Sequence, residues 1–162
     1  MYPPSTQSSD ATMNAFGIEI PREAVCILEP GLTKYDALDR MVDAIASLGV
    51  VSEEEAFRKA LYEREAIRST GFRGVAIPHV RIDEITQPTV GVGVCREGID
   101  FEALDNEPVN IVVLFAMPSG SDKEYLGYLA QVMMSLRSEG FTEELTACGT
   151  ADEVVEVLNR DR

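Results

Sequence analysis

The chain of 162 residues has one histidine, three cysteines, and fourteen lysines and arginines against twenty-eight aspartates and glutamates. Each shortage removes a class of function. Cys26, Cys95 and Cys148 are odd in number, far apart and outside any CxxC pattern. They argue against a disulfide framework and for a reducing, cytoplasmic setting. One histidine with scattered cysteines does not make a structural zinc site. The net charge of -14 repels phosphate backbones and anionic bilayers, so neither nucleic acid nor a membrane surface is expected as a main partner. Basic protein surfaces would instead be steered toward the chain. No apolar run approaches the ~18 residues of a membrane span. The N-terminus lacks the basic and then apolar regions of a secretory signal.

What remains is ordinary for a soluble globular domain: 45% hydrophobic and 26% charged residues. The length corresponds to about one domain, enough to bury roughly two-thirds of the surface of its unfolded chain. Residues 1–15, MYPPSTQSSDATMNA, are polar and read as a flexible tail. With no internal repeat and no second linker, residues 16–162 read as one domain.

The hydrophobic period then divides the chain. Thr33 is a candidate N-cap for a helix whose apolar positions are Leu38, Met41, Val42, Ile45 and Leu48, closed by Gly49. Ser52 and Glu55 are spaced as a capping box for a second helix. Its stripe is Ala56, Phe57, Ala60 and Leu61, with Arg64 as the next position. After residue 70 the period shortens. GVAI is an apolar run stopped by Pro78, and TVGVGVC (89–95) alternates valine with glycine. VNIVVLFAM (109–117) has the near-continuous β-branched character of a strand covered on both faces. A further helix is expected from Ser121, with Glu124 completing a capping box and Leu126, Leu129, Met133 and Leu136 on its inner stripe. Shorter helices follow at about 141–147 and 150–159, the last capped by Thr150 and Glu153. Helices alternating with buried strands imply a layered α/β domain.

Two residues break this pattern. Arg64 puts a guanidinium on an apolar stripe, which is costly unless the charge is paired, snorkels at the edge or faces a polar pocket. His79 follows an X-Pro step, where a strand should end, and therefore falls at the rim of the sheet. With an unperturbed pKa of about 6.5 it is mostly neutral at pH 7, hence nucleophilic. A lone loop histidine without a role is the plain alternative. Other chemistries lack their motifs: there is no GxGxxG, no GK[ST] and no GxSxG. The many carboxylates read as solvated helix faces.

The stretch REAIRSTGFRGVAIPHVRID (64–83) resembles the signature of the EIIA components of the sugar phosphotransferase system, of the fructose, mannitol and nitrogen-regulatory type. IDFEALDNEPVNIVVLFAMPSGSDKEYLGYLAQVMMSL is similar as well, and the resemblance covers roughly residues 17–160. It implies a cytoplasmic α/β sandwich, a mixed β-sheet flanked by helices on both faces. It further implies a phosphotransferase component that shuttles phosphate rather than turning over alone. His79 would accept a phosphoryl group from phospho-HPr and pass it to an EIIB protein or domain. Arg64 would hold phosphoryl oxygens. Ser69 and Thr70 would add donors or shape the loop. No metal and no organic cofactor are implied.

Two departures from the pattern stand out. The family's GxGxGIAIPH is one residue shorter here, GFRGVAIPH, and contains Arg73. Tyr125 stands where many members have a second histidine, offering a neutral phenol. These features keep other readings open. One is a nitrogen-regulatory type of interaction module that controls another protein with phosphorylation as its switch. Another is a degenerate member that binds partners without turning over phosphate.

Overall fold

A computed structural model describes residues 15–160. After a single 3-10 turn (Arg22–Ala24), the elements run β1 (Val25–Ile27), α1 (Lys34–Ala46), α2 (Glu54–Ile67), β2 (Gly71–Phe72), β3 (Val75–Ala76), β4 (His79–Ile82), β5 (Thr89–Ile99), β6 (Val109–Pro118), α3 (Asp122–Arg137), α4 (Phe141–Thr146) and α5 (Ala151–Asn159). The strands form one sheet in the order β1-β5-β6-β3-β2, and β4 also pairs with β6. β1 is parallel to β5, β5 antiparallel to β6, and β3 and β4 both parallel to β6. The sheet is therefore mixed, as expected. The expected tail falls on residues outside the described range except Ala15, whose N–H donates to the Leu158 carbonyl at 2.8 Å.

Strand periodicity splits the core in two. On β6, Val112, Leu114 and Ala116 face α1 and α2, where Leu38, Met41, Val42, Ile45, Phe57 and Leu61 are buried. Ile111, Val113, Phe115 and Met117 face the other way, against Val132, Phe141, Leu145, Val154 and Leu158 of α3, α4 and α5. Each such side chain removed from water contributes about 1.5–3 kcal/mol. The glycines of TVGVGVC have a specific task. Val90, Val92 and Val94 fill the α3–α5 side, while Gly91 and Gly93 lie under α1. A Cβ on Gly93 would fall 2.8 Å from Leu28 Cδ1 and 3.0 Å from Met41 Sδ. Helix α1 thus packs against bare backbone.

Local signals met different fates. Thr33 caps α1 in a reciprocal box with Asp36, and Thr150 caps α5 in a box with Glu153. Ser52 caps nothing: the N-cap of α2 is Glu53, without a side-chain bond. The N–H and hydroxyl of Ser52 both donate to the Glu84 carbonyl, beside the Val51–Ile85 bridge. Ser121 does precede α3, but its hydroxyl turns back to the Pro118 carbonyl. Leu126 is 61% exposed rather than internal. Tyr125 takes the inward position one residue earlier, followed by Leu129, Val132 and Leu136.

Candidate functional site

Pro78 does not end the strand. Val75 and Ala76 pair with Ile111 and Val112, and His79 through Ile82 pair with Phe115 through Pro118. The offset between partners is the same before and after the break, so β3 and β4 are one line of strand interrupted at Ile77–Pro78. The Pro78 carbonyl still accepts from the Phe115 N–H at 2.9 Å. His79 is therefore the first residue of the resumed strand rather than a loop residue beyond it, held by pairing to a central strand.

The strand fixes the direction of the His79 ring. Nδ1 lies 3.1 Å from the Ile77 carbonyl oxygen. A carbonyl only accepts, so Nδ1 carries the proton and Nε2 keeps its lone pair. Burial lowers the ring's pKa from the usual 6.5; the Ile77 carbonyl opposes this, and the charges of Arg64 and Arg81 reinforce it. The imidazole is thus neutral at neutral pH.

Tyr125, at the start of α3, stacks on His79 with ring centroids 5.4 Å apart and planes 28° from parallel. Phe115 meets Tyr125 edge-on at 5.2 Å and fixes it from the sheet. Burial raises the phenol's pKa, against the opposing charges of Arg81 and Arg64. Arg81 stands two residues along β4 from His79, hence on the same face of the sheet. Its guanidinium lies 5.3 Å from the Tyr125 ring centre, and its Nε is 2.9 Å from Asp122 Oδ1.

Arg64 is half-buried at the C-terminal end of α2, where its Nη1 donates to the Arg68 carbonyl at 3.1 Å. No carboxylate among the described residues forms an ion pair with it. Its charge reaches both His79 and Tyr125. The apolar stripe of α2 continues not to Arg64 but to Glu65, four residues after Leu61 and eight after Phe57. The anomaly on the core face is therefore a carboxylate.

Glu65 is 1% exposed and pairs with Lys34 of α1, itself 2% exposed, at 3.1 Å. The Lys34 ammonium also lies 5.4 Å from the centre of the Phe101 ring. The other Glu65 oxygen accepts from the Thr70 hydroxyl at 2.6 Å, and Thr70 Oγ1 in turn accepts from the Ile77 N–H at 3.2 Å. The Ser69 hydroxyl donates to the Phe101 carbonyl and accepts from the Gly71 N–H. So His79, Tyr125 and Arg81 are in contact, Arg64 contributes its field, and Ser69 and Thr70 have their hydroxyl protons engaged within the loop.

Sequence reasoning missed Arg81, Glu65 and Lys34. Two-residue periodicity would have found Arg81, had the strand been continued past Pro78. A lysine in the first turn of α1, against the helix dipole, hinted that Lys34 has a partner.

A mixed sheet with a neutral histidine set among arginines at its strand break suits a phosphoryl-handling protein. The chain belongs to the family of the phosphoenolpyruvate-dependent sugar phosphotransferase system, EIIA 2, whose model matches residues 20–161. It is 32% identical over 139 residues to the fructose-specific EIIA component of Haloferax volcanii, covering 85% of this chain and 90% of that one. It is 28% identical over 130 residues to the nitrogen regulatory protein of Pseudomonas aeruginosa, covering 80% and 84%. The crystal structure of nitrogen regulatory protein IIA-Ntr from Neisseria meningitidis superposes with a TM-score of 0.75 at 25% identity, covering 86% of this chain and 95% of that one.

Proposed function

We propose that the protein is a cytoplasmic phosphohistidine carrier that takes a phosphoryl group on His79 Nε2 from phospho-HPr and delivers it to an EIIB protein. The observation that carries this reading is the Nδ1–H bond to Ile77, which leaves one nucleophilic nitrogen. The Nε2 lone pair attacks phosphorus, the bond from phosphorus to the donor's nitrogen breaks, and its electron pair returns to the donor. No proton need leave His79. The ring becomes an imidazolium whose Nδ1–H still points at the Ile77 carbonyl. The transferring group carries close to two negative charges into a protein already at -14. Arg64 and Arg81 offset that charge at the site, and such positioning and charge stabilisation are what phosphoryl transfer requires.

The test is passage of labelled phosphate from phosphoenolpyruvate through enzyme I and HPr. Wild type should take label and His79→Ala should not. Label retained on His79→Ala, or none on folded wild type, overturns the assignment.

The similarity to nitrogen regulatory proteins, together with exposed Ile67 and Leu126 on the elements flanking His79, favours a second reading. The same phosphorylation would switch binding to a regulated protein. Pull-down with phosphorylated and unphosphorylated chain separates the two. A sugar-specific EIIB as sole partner rejects the regulatory reading.

A further inference from the structure

The buried ion pair of Lys34 and Glu65 lies outside the stacked site, yet hydrogen bonds linked through the backbone of Ile77 join it to His79. Lys34 Nζ meets Glu65 Oε1 at 3.1 Å. Thr70 donates its hydroxyl proton to Glu65 Oε2 at 2.6 Å and its N–H to Oε1 at 3.3 Å. With its proton committed, Thr70 Oγ1 turns a lone pair to the Ile77 N–H, 3.2 Å away. Ile77 then accepts from His79 Nδ1.

The location of this series matters. Ile77 sits in the interruption of the β3–β4 line, where the sheet ladder does not hold it, and Pro78 has no N–H to help. The hydroxyl of Thr70 replaces the missing ladder bond and fixes Ile77. That hydroxyl can rotate, and only a committed acceptor keeps its lone pair toward Ile77. Glu65 is that acceptor. Lys34 beside it and the two donors of Thr70 replace the water that burial removes from its oxygens.

We propose that the Lys34–Glu65 pair is a positioning device: through Thr70 and the Ile77 backbone it locks neutral His79 in the tautomer with its proton on Nδ1. Its value for catalysis rests on the phosphocarrier reading, since the lock keeps Nε2 free for phosphorus. The tautomer itself can be read without any transfer.

Because the chain has one histidine, nitrogen-15 histidine labelling of the full, untagged chain gives a single imidazole. Long-range proton–nitrogen correlation, recorded above the ring's titration, shows which nitrogen holds the proton. Wild type should show the Nδ1–H form alone. Lys34→Met/Glu65→Met, which replaces the pair by apolar chains of similar length, should show a mixture with the Nε2–H form. Thr70→Val should do the same, and Thr70→Ser, which keeps the hydroxyl, should restore the wild-type pattern. Phosphorylation rates should fall by roughly ten- to a hundredfold in the first two variants and recover in Thr70→Ser.

A tautomer mixture in wild type, or unchanged nitrogen shifts in a folded double variant, overturns the proposal. Should the double variant fail to fold, Thr70→Val decides by the same shifts. A wild type that shows the lock but takes no phosphate rejects the carrier reading and leaves the lock standing. Normal transfer with no tautomer change in the variants does the reverse.

Discussion

The rings of His79 and Tyr125 lie stacked 5.4 Å apart, so the imidazole's neighbour is an uncharged aromatic face. The stack orients the imidazole, and Phe115 behind it prevents Tyr125 from swinging away. Tyr125→Phe keeps both ring contacts and removes only the phenol. Phosphate acceptance should then change by less than about threefold, while Tyr125→Ala, which leaves a cavity, should destabilise the fold by about 3–5 kcal/mol. A large drop in transfer rate for Tyr125→Phe would instead assign the hydroxyl a contact with the phosphoryl group.

The lowered pKa of His79 sets a pH dependence. The ring is neutral in the folded protein down to below its ordinary value of 6.5, because burial and two arginines disfavour the cation. Phosphate acceptance should persist as pH falls through 6.5 and fail only below it. Between the folded pKa and 6.5 the unfolded chain binds more protons than the folded one. The stability this group contributes is therefore complete above 6.5 and is lost as pH falls through the folded value. Nuclear magnetic resonance titration of the single imidazole checks the sign: a midpoint at or above 6.5 contradicts it.

Arg64 and Arg81 should act on charge rather than on folding. Arg64 is part-buried and Arg81 exposed, and Arg81's ion pair with Asp122 is exposed enough to add little stability. Alanine at either position should lower the rate of phosphorylation by on the order of a hundredfold, with little change in melting temperature. Rates from quenched-flow labelling beside thermal melts separate the two effects. Lysine at position 81 should recover part of the rate, since charge without bidentate geometry remains.

Much of this arrangement was legible in the chain, and the failures share a cause. The PH step marks His79, Thr33 as N-cap and the Thr150–Glu153 box mark the starts of α1 and α5, and the valine–glycine alternation marks β5. The helical period puts Arg64 on the core stripe of α2, where the structure has Glu65, and Leu126 on that of α3, where it has Tyr125. In each case neighbouring residues fit the helical period almost equally, and tertiary contacts decide the phase: Lys34 across from Glu65, Phe115 across from Tyr125. The strand beyond Pro78 is hidden from the sequence for a similar reason. Its register is imposed by β6, more than thirty residues later, and no local pattern carries that information. Ser52 lost its cap because Glu84, distant in sequence, supplied an acceptor.

The glycine face of β5 can be tested by contrast with a glycine under no pressure. Gly93→Ala would place a methyl 2.8 Å from Leu28 Cδ1 and 3.0 Å from Met41 Sδ. Displacing α1 to admit it should cost about 1–3 kcal/mol. Gly127 lies inside α3 with nothing within 4 Å of its would-be Cβ. Gly127→Ala should stabilise the protein by roughly 0.5–1 kcal/mol through helix propensity. Opposite shifts in the denaturant midpoint are expected, and equal shifts would mean that α1 does not press on the sheet.

The energetics of Lys34 and Glu65 should be strongly non-additive. Lys34→Met alone strands a carboxylate that is 1% exposed, with only Thr70 to satisfy it. Removing one partner of such a pair costs about 3–5 kcal/mol, because the remaining charge loses both water and its counter-ion. Lys34→Met/Glu65→Met removes both charges together, and its stability should lie well above that of either single variant, within about 2 kcal/mol of wild type. Denaturant unfolding of the four proteins completes the cycle. Equal, additive losses would mean that the two groups do not depend on each other. A double variant near wild-type stability but slow in transfer would show that the pair is retained for the orientation of His79 rather than for the fold.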